Sequence, residues 1–90
     1  MKLSVLEDGV RADLELDQPV VTIGRALDND IRLQSNRVSR HHTRLETAAG
    51  ESWIIDLGSA NGTLVNGERV TRRLVGVGGR IEIGGVQIDV

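Results

Sequence analysis

Three two-residue turn signals constrain this chain more than any other feature. Asp8-Gly9, Asn66-Gly67 and Gly84-Gly85 each stand between short runs of alternating or β-branched residues. Asp, Asn and Gly tolerate positive φ, which the tight turns between antiparallel strands require, so each pair predicts a β-hairpin. Val10, Ala12, Leu14 and Leu16 alternate with Arg11, Asp13 and Glu15, a period of two that predicts one buried and one wet face. Further short strands are expected over residues 2–6, 20–23, 31–33, 43–47, 52–57, 63–65, 68–70, 80–83 and 86–90, with a strand or bridge at 71–74. No stretch keeps an apolar period of 3.6 for ten residues, so almost no helix is expected. Short strands with turns every few residues imply an all-β sandwich or barrel.

The 90 residues make a single domain, read as 1–90 and as either a whole protein or one end of a larger one. A chain this short buries only a little over half of its unfolded surface. It has no cysteine for disulfides or thiolate metal sites, and Trp53 is its only aromatic residue, so Val, Ile and Leu must supply the core. The formal net charge of −2 argues against general nucleic-acid binding, and the missing aromatics argue against base stacking. No apolar run approaches the ~20 residues of a membrane helix, and no signal-peptide segment follows Met1. The chain therefore reads as a soluble, cytoplasmic, monomeric domain.

Charge is unevenly spread. Residues 1–23 carry two cations against five carboxylates, whereas residues 24–44 carry five arginines against Asp28 and Asp30. Within and just beyond that basic segment lie Gly24-Arg25, Ser39-Arg40-His41-His42 and Asn61-Gly62-Thr63, each where an apolar run stops. Arginine, a serine hydroxyl, an asparagine amide and glycine-exposed N–H groups form a donor-rich set. Its natural counterpart is a phosphate, with about −1.5 to −2 charges and strong acceptor oxygens.

In order and spacing, Ile23-Gly24-Arg25, Ser39-Arg40-x-His42, and Leu57-Gly58-Ser59-x-Asn61-Gly62-Thr63-x-x-Asn66-Gly67 resemble a forkhead-associated (FHA) domain. The resemblance covers about Val5 to Val90. It implies a β-sandwich of about eleven short strands in two sheets, with binding loops gathered at one end. It also implies a binding module, without enzymatic activity or cofactor, for phosphothreonine written into an extended partner segment by a Ser/Thr kinase. Arg25 then reaches the phosphate and neighbouring peptide, Ser39 donates to a phosphate oxygen, and Arg40 offers its N–H and guanidinium. Asn61 hydrogen-bonds the main chain beside the phosphothreonine. Gly24, His42, Gly62 and Thr63 support the site, with the His42 ring tying the loops together and His41 exposed.

Two positions depart from the family pattern. Ala60 stands where a serine or threonine often donates to the phosphate, a loss of about 1 kcal/mol. Gly79 stands where an aspartate is common. Beyond the phosphate, Arg37 is expected to favour an acidic residue a few places after the phosphothreonine. The bland readings weighed against these are Arg25 paired with Asp28 or Asp30, Ser39 bonded to its own backbone, and Asn61 as a simple turn residue. Ala60 favours a second reading, a phosphate-independent scaffold for protein–protein interaction. A metal at His41-His42 is disfavoured because strand neighbours point to opposite faces and no third ligand is near. A hydrolase built on Ser39 and a histidine lacks an evident orienting carboxylate.

Overall fold

Reversals of the chain follow local turn chemistry. Asn66 and Gly67, at φ 50° and 85°, form the tight turn expected between β7 (Thr63–Val65) and β8 (Glu68–Val70). The same logic joins β1 (Lys2–Glu7) to β2 (Val10–Glu15), and β10 (Arg80–Ile83) to β11 (Val86–Asp89). The structure is a computed structural model describing residues 1–90. It adds β3 (Val20–Gly24), β4 (Ile31–Arg32), β5 (Thr43–Ala48), β6 (Glu51–Asp56) and β9 (Arg72–Val75), and contains no helix. One sheet runs β2-β1-β11-β10-β7-β8 and the other β4-β3-β5-β6-β9, so the eleven strands form the expected two-sheet sandwich.

The core lies between the sheets and is wholly aliphatic. Leu3, Val5, Ile81, Ile83, Val86 and Ile88 face inward from one sheet, and Val21, Ile23, Leu45, Ile54 and Val75 from the other. Alternation along each strand produces this, as on β10, where Ile81 and Ile83 are buried and Arg80 is exposed. Trp53 instead lies half-buried on the outer face of β6, with the Arg72 guanidinium carbon 4.0 Å from its ring centre.

β2 departs from its predicted pattern. Val10 is 69 % exposed and Ala12 is exposed, while Leu14 and Leu16 pack only partly against the core. β2 is an edge strand, with a neighbour on one side only. Period two revealed a strand here, but not whether anything lies opposite. β4 is also shorter than expected: Leu33 lies beyond it yet is buried. It pairs in parallel with β3, Gly24 opposite Arg32.

Register explains why the three motifs meet. Ile23 pairs with Thr43, and Thr43 with Asp56, so β3 ends, β5 begins and β6 ends at one level of the sheet. Thr63, which opens β7 in the other sheet, meets Thr43 across the sandwich with hydroxyl oxygens 2.8 Å apart. Residues 25–30, 33–42 and 57–62 therefore leave the sandwich at the same end.

Candidate functional site

His42 is the hub of this end. It is fully buried, and Ser39 N–H donates to its Nδ1 at 2.9 Å. Nδ1 is thus an acceptor, which puts the ring proton on Nε2, where it donates to the Gly62 carbonyl at 2.8 Å. Its own N–H and C=O continue the ties, to Ile23 O and Leu57 N. One neutral side chain so holds the Ser39 loop against the Asn61-Gly62 loop.

Two backbone bonds lay the first loop beside the second: Arg25 N–H donates to Ser39 O, and Ala26 N–H to Arg40 O, both at 3.0 Å. Gly24 is required for this approach, since an added Cβ would overlap the Arg40 carbonyl oxygen. The Asn29 amide also donates to Ala26 O and Arg40 O, at 2.9 and 2.8 Å. Asn61 donates to Arg37 O at 2.8 Å, and Ala60 N–H donates to Ser39 Oγ at 3.2 Å. Arg25, Ser39, Arg40 and Asn61 therefore belong to one connected loop cluster, with Arg37 and Ala60 at its margin.

The cluster leaves strong hydrogen-bonding groups unspent. Arg25 commits Nε to Val38 O at 3.1 Å, and no carboxylate pairs with Arg25, Arg32, Arg37 or Arg40. Both carboxylates that could have neutralised Arg25 are occupied: Asp28 faces His41 Nε2 at 3.0 Å, and Asp30 accepts from Thr22 N–H and Oγ–H. The Thr22 N–H, foremost, holds Asp30 below the usual carboxylate range. Ser39 Oγ accepts from Ala60 rather than from its own backbone, which leaves its O–H proton for another acceptor. Asn61 keeps its Oδ1 and one N–H.

Asp56 organises the second loop and escaped the sequence reading. It accepts from Gly58 N–H, Ser59 N–H, Ser59 Oγ–H and Thr63 Oγ–H. Burial pushes its carboxyl up, but these four donors outweigh that and hold it below the ordinary range. An aspartate two residues before a loop glycine is a turn signature that could have found it. Asn29 also gives no local sign of its role, because its carbonyl partner on Arg40 is 11 residues away. Ser59 Oγ accepts from Gly62 N–H at 2.9 Å, completing the loop from within.

Comparison with known proteins agrees with this geometry. The chain is 42 % identical over 69 residues to the glycogen accumulation regulator GarA of Mycolicibacterium smegmatis. That match takes in 77 % of this chain and 44 % of the relative, so the chain spans less than half of that protein's length. The crystal structure of the FhaA FHA domain complexed with the intracellular domain of Rv3910 superposes with a TM-score of 0.86 at 31 % identity, over 97 % of each chain. A structure from a structural and functional analysis of phosphothreonine-dependent FHA domain interactions gives 0.87 at 29 % identity, over 99 % of this chain and 94 % of that one. The FHA domain model matches residues 21–84, which run from the second residue of β3 to the turn before β11 and hold the whole loop cluster, and the chain belongs to the FHA family.

Proposed function

We propose that this domain is a phosphothreonine-dependent binding module that captures an extended segment of a partner protein modified by a Ser/Thr kinase. One observation carries the reading: Arg25, Ser39 and Asn61, from three loops, are joined by hydrogen bonds yet keep free donors at one end of the sandwich. Arg25 and Arg40 meet the phosphate charge, Ser39 O–H donates to a phosphate oxygen, and the Asn61 amide holds the peptide main chain. Arg37, in the cleft beyond Asn61, selects an acidic residue after the phosphothreonine. The neighbour that superposes with a TM-score of 0.87 comes from an analysis of phosphothreonine-dependent FHA domain interactions, which supports this reading.

A catalytic use of Ser39 finds no support in the hydrogen bonding. Both ring nitrogens of His42 are committed to the backbone, and His41 faces Asp28, so neither serves Ser39 Oγ as a general base. The phosphate-independent scaffold remains the competing reading, favoured by Ala60. Titration of a phosphothreonine peptide and its unphosphorylated twin separates the two. The module reading expects a micromolar Kd, about −8 kcal/mol, for the phosphorylated form only. Arg25→Ala and Ser39→Ala should each weaken capture by roughly tenfold or more, as loss of a charge-assisted hydrogen bond implies. Equal affinity for the twins would leave the scaffold reading standing.

A further inference from the structure

Two clefts open at the loop-bearing end and share no residue. One holds Arg37, Asn61 and Arg69, with Glu82 among its walls. The other holds Arg25, Arg32 and Arg40, with Ala26, Leu27 and Asp28. Three guanidiniums line this second cleft without an ion-pair partner, and its one carboxylate, Asp28, is turned to His41. A single phosphate, carrying at most two charges, leaves part of that set unanswered.

Arg32 is the unassigned member. Pairing of β4 with β3 sets it directly beside Gly24, and its Nε donates to Arg25 O at 3.1 Å. That bond fixes the side chain while leaving its terminal N–H groups available. Resting on the phosphothreonine reading above, we propose that Arg32, with Arg40, forms a second anion subsite. It reads a carboxylate or phosphoryl group one or two residues N-terminal to the phosphothreonine. Direction follows from the proposed role of Arg37, which lies in the other cleft and takes a residue after the phosphothreonine. An extended segment advances about 3.3 Å per residue, so the residues before it run toward Arg32.

Fluorescence anisotropy with three phosphothreonine peptides tests this. They are identical except for the two preceding residues: Ala-Ala, Glu-Glu or Ala-phosphoserine. The wild-type domain should bind at least one anionic peptide about threefold to fivefold more tightly than the Ala-Ala peptide, the range of an exposed charge pair. A gain with Glu-Glu identifies a carboxylate reader, and a gain with phosphoserine alone a phosphoryl reader. In Arg32→Gln the ratio of affinities should fall to about one, while Arg32→Lys should keep part of it. Because each variant is compared with itself, a change in absolute affinity does not blur the result, and the Lys variant serves if the Gln variant does not fold. Equal wild-type affinity for all three peptides overturns the subsite but not the phosphothreonine reading, as does a ratio that survives Arg32→Gln. Failure of the wild type to bind any of the three overturns both.

Discussion

Tight turns close both ends of the sandwich, Gly84-Gly85 among them at the loop-bearing end, but only that end also carries long loops. At the end away from the site, Ala49-Gly50 and Asn66-Gly67 reverse the chain in two residues with positive φ at both, and Asn66 Oδ1 adds one tie by accepting from Arg80 N–H at 2.9 Å. At the loop-bearing end, His42, Asn29 and Asn61 hold long loops by side-chain bonds to distant backbone, and Asp56 braces its own loop from within. A tight turn consumes its own hydrogen-bonding groups. A long loop braced from beneath can present them outward, which is what capture of an anion needs.

The most severe way to break the contrast is His42→Ala. It opens a buried cavity and orphans Ser39 N–H and Gly62 C=O together. The expected loss is about 3 kcal/mol, or roughly 12 °C or more in Tm, along with phosphopeptide capture. Thermal denaturation followed by circular dichroism, with a parallel binding titration, checks both. A variant that kept its Tm would show that the hub bears no load.

One substitution made at both ends sharpens the comparison. Gly24→Ala forces a Cβ against the Arg40 carbonyl and should cost about 2 kcal/mol while shifting Arg25 and Arg40 out of line for binding. Gly67→Ala meets nothing within 4 Å, so only its φ of 85° is strained. It should cost about 1 kcal/mol and leave peptide affinity as it was. If Gly67→Ala impaired binding as much as Gly24→Ala, the division between the ends would not hold.

Acid should act on the loop-bearing end through Asp56. Its carboxyl is depressed in the folded state, so its contribution is complete above the ordinary carboxylate range and is lost as pH falls through the folded value. Below about pH 4 the wild type should therefore lose stability more steeply than Asp56→Asn, by about 1 kcal/mol. Urea unfolding at neutral and acidic pH measures that difference. The mildest change is Ala60→Thr, which adds a hydroxyl beside the Ser39–Ala60 contact. A gain of up to about 1 kcal/mol, or severalfold in Kd, is expected in calorimetric titration; no gain would mean that position 60 does not face the ligand.

Much of this was legible in the chain itself. Turn dipeptides and period two were enough for the strands and hairpins, because those rules act over a few residues. The spacing of Arg25, Ser39 and Asn61 pointed to one site. Three things were not legible. Burial on β2 failed at Val10 because it depends on what lies opposite. The roles of Asn29 and Asp56 were hidden because a turn residue and a loop brace look alike until the partner is known. Arg32 was passed over because no local pattern distinguishes it from any exposed strand residue.

By itself, then, the sequence determined an all-β chain, its reversals and the residue types available to an anion, since these follow from φ preferences and alternation. Only the tertiary structure decided which of those residues stay free. That choice turned on Asp28 facing His41, on Asp30 taken by Thr22, and on both His42 nitrogens committed to the backbone. Hydrogen bonds are short and directional, so which partners are consumed is settled only when distant segments come within 3 Å.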